Sequence, residues 1–446
     1  MNRFVFSVGL FCFVLISISN VAYCKELEPS EITSLQETIN QSKGGEILIL
    51  RKGTYQGPIT ISKPMTIRGE KGTVIDGGFS GSVITVTADN VKISGLTIVN
   101  SGNKMEDSGF YLDKVSSIFI ENNVIKNVHN GIYIKNGRSN KIQGNVISST
   151  GKHFSKKGNG IHIFKGEDNI ISENQIHHVQ DGIYFDFAKR VVVSGNEIRD
   201  SRYGMHFMFS GDITANENKA EENITGFMIM DSSHLRFTQN HIRRQFHFRG
   251  FGVLIYNSQD ILLHENEIIQ NSTAVSFEKA VDTELTRNII AANQIGLEFR
   301  SDNKDNHFSR NNFISNIVSS KIGHEEVHLD DGDVGNYWDD YDSYDITGDG
   351  IGEIPYKAGT LYDNLLKKQP LWQFFFESPA IQIWGKAESM FPSLGKVEVY
   401  DNKPLVKAVN LDMDEKKEKR SHLLGIVGVL FVGVSLFTIW RGTSYR

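Results

Sequence analysis

A glycine returns along the middle of the chain at a nearly fixed interval, and few folds tolerate that. Gly109, Gly131, Gly160, Gly182, Gly204, Gly226 and Gly252 are followed by Ala274 in the same slot and then Gly296, at gaps of 22, 29, 22, 22, 22, 26, 22 and 22 residues. A second mark, an asparagine with an apolar residue two places on, recurs as Asn123, Asn145, Asn174, Asn196, Asn218, Asn240, Asn266, Asn288 and Asn312. Between the marks polar and apolar residues alternate, as in Ile132-Tyr133-Ile134, which is a strand period. Short strands, turns at Asn and Gly, and one copy per turn of a coil predict an all-β chain. The expected architecture is a right-handed parallel β-helix, a solenoid of about 22-residue coils. A propeller or sandwich would want antiparallel hairpins with two-residue turns, which the even spacing does not provide. Asn suits the recurring turn because it tolerates left-handed backbone and its amide can bond the next coil's amide in a ladder.

The register assigns faces. One and three residues after each glycine the chain is apolar and should point inward; two and four residues after, it should point outward. The second offset reads Tyr133, His162, Tyr184, His206, Met228, Leu254 and Ser276; the fourth reads Lys135, Phe164, Asp186, Met208, Met230, Tyr256 and Glu278. His206, Met208, Met228 and Met230 should therefore form a two-by-two patch on the outer face, with coils about 4.8 Å apart and the offsets about 6.6 Å apart along the strand.

The rest of the 446 residues frames this rod. Asn2-Arg3, the apolar run from Phe4 to Ile18, and Ala22-Tyr23-Cys24 read as a secretory signal spanning 1–24. Tyr23 stands where a lipoprotein signal would want a small residue. Cys12 and Cys24 are the only cysteines, so no disulfide framework is expected, and soft-metal chemistry outside the membrane would have to use Met and His. The net charge of −6 argues against a nucleic-acid partner. Residues 25–81 should cap the rod, with a helix begun by Ser30 and ended by Gly44-Gly45. Coils should fill 82–329. Three insertions, at 100–108 with Met105, 150–158 with His153 and 243–251 with His247, fall at one corner, as a tolerated surface or as a docking rim.

Residues 330–410 should close the other end with an aromatic-rich tail. Within it, Asp345 to Gly350 resembles half a Ca2+ loop, although Tyr356 occupies the place of the bidentate Glu. A charged linker covers 411–422. Leu423 to Trp440 is an uncharged apolar run long enough, at about 27 Å as a helix, to span a bilayer. The exported domain would then lie outside and the tail 441–446 in the cytoplasm.

Thioether and imidazole donors together select Cu(I). The patch could instead pack against a protein partner. A third reading is a surface carbohydrate-binding β-helix using the tyrosine ladder Tyr111, Tyr133 and Tyr184. Catalysis is not expected, because no paired carboxylates face each other on adjacent coils; Asp186 lies between Phe164 and Met208.

Three stretches carry a resemblance to a known family. Arg202-Tyr203-Gly204-Met205-His206-Phe207-Met208-Phe209-Ser210 is one, and Asn336-Tyr337-Trp338-Asp339-Asp340-Tyr341 with Asp345 to Tyr356 is the second. Ser378-Pro379-Ala380, Phe391-Pro392 and Asp401-Asn402-Lys403-Pro404-Leu405 form the third. Together they are similar to NosD, the β-helical periplasmic family of nitrous oxide reductase maturation in denitrification. The resemblance implies a protein that is not an enzyme. It implies receipt of Cu(I) and its delivery to the copper-sulfide centre of nitrous oxide reductase. It also implies an ATPase (NosF), an ABC permease (NosY) whose action drives shape changes, and a copper lipoprotein (NosL) as partners. The family's motif positions fall here on His206, Met208 and Met230; Met228 rests on the register alone. The membrane span is not part of the family pattern.

Overall fold

The computed structural model describes residues 24–29, 34–149, 151, 156–248, 250–322, 327–357 and 399–410, with 378, 380 and 383 singly. Residues 1–23 of the expected signal segment 1–24, the triplet Phe374–Phe376, His153, the linker, the span 423–440 and the tail lie outside them. The chain divides into two compact units, Met1–Val409 and Asn410–Arg446, and only Asn410 of the second is described.

Unit one is a right-handed parallel β-solenoid of about 14 turns. A representative coil has three strands, Tyr203–Met208, Gly211–Asn216 and Lys219–Glu221, separated by tight corners. Each strand pairs in parallel with its counterpart one coil on. Successive coils thus build one 23-stranded and one 13-stranded sheet. The pairing already runs from Cys24–Leu27 onto Ile47–Leu50 and Met65–Gly69, and continues through residue 82 without a break. Inward columns interlock by shape. Phe185 lies on Phe207 with ring centroids 4.7 Å apart, and both are fully buried along with Ile183, Met205, Phe227 and Ile229. Each such side chain contributes about 1.5–3 kcal/mol of burial, and only stacking delivers it, since a lone coil leaves both ends of every column wet.

The asparagine marks form the expected ladder, with two corrections. Each side-chain amide donates to the carbonyl oxygen of the next along Asn123, Asn145, Asn174, Asn196, Asn218, Asn240, Asn266, Asn288, Asn311 and Asn336. The rung after Asn288 is therefore Asn311, not Asn312, whose side chain instead accepts from the Val409 N–H and donates to its carbonyl. The left-handed residue is also not the ladder asparagine but the one before it, as at Glu173, Gly195, Glu217, Gln239 and Arg287. That residue turns the corner with its side chain in solvent, so its identity varies; the asparagine that follows is the one whose amide must be buried and paired.

The two ends are closed differently. The capping helix is Leu35–Gln41, and its N-cap is Ser34 rather than Ser30. Ser34 accepts from the Glu37 N–H while the Glu37 carboxylate accepts from the Ser34 N–H, a reciprocal pair that Ser30 is not spaced to make with Glu37. At the other end Trp338 stacks between Phe313 and Tyr356 at centroid distances of 4.1 and 4.5 Å. The ladder ends on Asp401. Its Oδ2 accepts from the Asn336 N–H at 2.7 Å and the Trp338 Nε1–H at 2.9 Å, and its Oδ1 from the Lys403 N–H at 3.0 Å.

Burial outweighs these donors and pushes the Asp401 carboxyl up to about 6. With the folded value above the unfolded one, the fold holds the proton through that window, so this group's contribution to stability falls as pH rises from about 4 to about 6. The substitution Asp401→Asn removes that proton from both states. The stability difference between parent and variant in urea unfolding should therefore shift against the parent by about 2 kcal/mol over that range; a flat difference would show that the carboxyl is not perturbed.

Candidate functional site

The strand Tyr203–Met208 pairs with Asp181–Asp186 on one side and Thr225–Met230 on the other. The register sets His206 opposite Met228 and Met208 opposite Met230, as the glycine spacing requires. All four expected residues are thus adjacent, on one sheet, in neighbouring coils.

His206 is not openly displayed, however. It is only 7% exposed, and Met208, Met228 and Met230 are half-buried. The cause is the repeat. The outward aromatic column Tyr111, Tyr133, His162, Tyr184, His206 stacks on itself, with successive centroids 5.7, 4.5, 4.6 and 4.5 Å apart, matching the rise between coils. Tyr203 adds its ring edge-on at 5.1 Å. The tyrosines expected to stack sugars are taken up within the column: Tyr111 stacks on Tyr133, which is 5% exposed, and Tyr184 lies between His162 and His206.

The polar atoms around His206 are ordered. Asp181, 1% exposed, accepts from Arg202 through Nε at 2.8 Å and Nη2 at 2.7 Å, and its Oδ2 also meets His206 Nδ1 at 3.0 Å. Burial alone would push the Asp181 carboxyl up, but the bonds from His206 and Arg202 prevail and hold it below its usual range. The Arg202 guanidinium lies 4.4 Å from the Tyr203 ring. On the other side of the imidazole, His206 Nε2 is buried and has no hydrogen-bond partner among the described residues. The Tyr184 hydroxyl, pushed up to about 12 by burial and then by Asp186 and Asp181, stays protonated and donates to Met208 Sδ at 3.2 Å. The local chemistry is one imidazole nitrogen without a partner beside three thioethers, a soft donor set with no negative charge of its own.

Sequence reasoning missed Asp181. It is the first residue of its strand, directly before Gly182, where alternation gives no face. Of the insertions, the 100–108 loop carries Met105, 83% exposed, but lies four coils from His206, about 19 Å. The 243–251 loop follows the Met228 coil directly. It displays Phe246 and Phe248, and His247 lines a groove there with Ser201, Ile224 and Arg244. The 345–356 loop is a self-capped turn. Asp345 accepts from the N–H groups of Gly348, Asp349 and Gly350, and Tyr356 is buried, donating to Asp340. Among the described residues no group of three or more His, Cys, Asp or Glu is placed to hold a metal ion.

Comparison with known proteins agrees in direction. Residues 39–155 and 145–343 match the family described as "Periplasmic copper-binding protein (NosD)". A Pseudomonas aeruginosa protein named "Probable ABC transporter binding protein NosD" is 31% identical over 377 residues, covering 80% of this chain and 87% of its own. A Stutzerimonas stutzeri protein of the same name is 30% identical over 403 residues, covering 85% and 90%. Among solved structures, the A-module of the Azotobacter vinelandii mannuronan C-5 epimerase AlgE6 superposes with a TM-score of 0.52 at 14% identity, over 65% of this chain and 89% of that one. That likeness is one of fold alone.

Proposed function

The chain belongs to the NosD family of periplasmic copper-binding proteins, and on that premise we propose that it receives Cu(I) and passes it on for assembly of the copper-sulfide centre of nitrous oxide reductase. The single observation that carries this reading is the buried, partnerless His206 Nε2 set in register with Met208, Met228 and Met230. A polar atom left bare in an occluded site costs about 1–3 kcal/mol; His162 Nε2, two coils earlier in the same column, is bare too, and what sets His206 apart is the methionines in register around it. Thioethers and a neutral imidazole suit Cu(I) over harder ions, and, being uncharged, they release it more readily than thiolates would. The role is that of a binding protein, as its relatives are named, rather than an enzyme.

The remaining assignments follow the same reading. The ABC partners are a permease and an ATPase of the NosY and NosF kind, and NosL is the copper donor. Residues 1–24 direct export, and 423–440 anchor the exported domain in the inner membrane. The half-burial of the methionines fits a cargo site opened by a partner.

The test is a competition titration of the full-length chain with Cu(I) against a chelator. It is repeated with His206, Met208, Met228 and Met230 all changed to alanine. The parent should take up one ion tightly and the variant none. Equal uptake by both, or uptake by neither, would make the patch a protein-docking surface.

A further inference from the structure

Two of the groups that hold His206 have no thioether or imidazole of their own to offer an ion, yet they determine what His206 can offer. We infer that Asp181, clamped by Arg202, is a positioning residue that fixes His206 as the Nδ1–H tautomer and so leaves Nε2 as a bare lone pair in the patch that register shares with Met208 and Met228. This inference rests on the copper reading of the same site.

The argument is one of donors and acceptors. Both Asp181 oxygens accept from the Arg202 guanidinium, at 2.8 and 2.7 Å, a two-pronged grip that fixes the plane of the carboxylate. Oδ2 is then left facing His206 Nδ1 at 3.0 Å. An ionised carboxylate only accepts, so the proton in that bond belongs to Nδ1. With the proton on Nδ1, the neutral ring carries its lone pair on Nε2, which is buried and without a hydrogen-bond partner among the described residues. The rings of Tyr184, stacked at 4.5 Å, and Tyr203, edge-on at 5.1 Å, pack against the imidazole in this pose. A carboxylate behind a histidine is the arrangement that orients a metal-binding imidazole and raises its basicity. It differs here in being supplied by the preceding coil, so the ligand and its support lie on two neighbouring strands.

Asp181→Ala is the discriminating variant. It leaves Nδ1 with no carboxylate to accept from it and beside the Arg202 guanidinium, which only donates. The proton should then move to Nε2. Long-range proton–nitrogen NMR of the full-length, histidine-labelled protein, with His206→Gln to assign the signal, should show Nδ1–H in the parent and Nε2–H in Asp181→Ala. Cu(I) affinity should fall about 10- to 100-fold in the variant. Nε2–H in the unmutated protein would overturn the inference, and needs no variant to fold. An unchanged tautomer in Asp181→Ala would overturn the role of Asp181. A switched tautomer with unchanged Cu(I) affinity would uphold the positioning and sink the copper reading of His206. A purely structural Asp181 would lower stability and leave the tautomer where it was.

Discussion

Changing Asn218 to leucine should cost about 3–5 kcal/mol and loosen the proposed copper site with it. Asn218 is fully buried. Its oxygen accepts from the Asn196 N–H at 3.0 Å and from the Asn196 side-chain amide at 2.9 Å. Its own amide serves Val193 O and Asn216 O at 3.0 Å and Asn240 Oδ1 at 3.1 Å. Leucine fits the volume but answers none of these groups. At least the Asn196 N–H and one carbonyl are then stranded away from water, at about 1–3 kcal/mol each. Set against a total stability of about 5–15 kcal/mol for an ordinary domain, the loss is large. A solenoid can open locally, so hydrogen exchange at Asn196 and Ser194 to Glu197 is the sharper probe than a global melt. These rungs also fix the spacing between the coils that carry His206 and Met228, so weaker Cu(I) binding should accompany the exchange. Protection unchanged within about 1 kcal/mol would mean that the ladder is a consequence of stacking and not a support for it. Lys219→Ala, one residue on and solvent-facing, should move neither.

Much of this could be read from the residues, and the parts that could not share a cause. Period and face follow from a glycine and an asparagine recurring in every coil, because stacked coils must repeat the same backbone path. That is why the pairing of His206 with Met228 and of Met208 with Met230 was legible in the spacing alone. What escaped depends on contacts between coils that the linear pattern does not rank. Asn311 and Asn312 both satisfy the pattern, and only the requirement for a buried oxygen beneath Asn288 selects Asn311. The burial of His206 was implicit in aromatic residues recurring at one offset: rings repeated at the coil rise must stack, and a stacked imidazole is a covered one. Asp181 was least legible, since its role comes from Arg202 and His206, both one coil later. Ser34 was legible in principle, because Glu37 three residues on marks a capping box.

The glycine column itself supplies the last prediction. These glycines are not there for left-handed backbone, as none of Gly131, Gly160, Gly182, Gly204, Gly226 and Gly252 has a positive φ. A Cβ on Gly160 would lie 2.4 Å from Ile176 Cγ2 and 2.5 Å from the Gly182 carbonyl oxygen. The isoleucine can yield by rotating, but the carbonyl belongs to the next coil and cannot move without it. Gly160→Ala should therefore cost about 3 kcal/mol. Gly204→Ala should cost less. It meets the Gly226 oxygen at 2.6 Å, but Ala220 stands where the other coils have isoleucine, and its Cβ is 3.1 Å away. The chain bounds the penalty itself, since Ala274 occupies the slot naturally and is fully buried, so a Cβ is compatible with the fold when its surroundings have adjusted. Gly44, with nothing within 4 Å of a Cβ and no positive φ, should accept alanine and gain about 0.4–1 kcal/mol. Urea unfolding of the three variants should rank them Gly44, Gly204, Gly160 from most to least stable. If Gly160→Ala proved as stable as Gly44→Ala, close approach between coils would not be what keeps the glycine, and the period that organises the whole rod would need another physical cause.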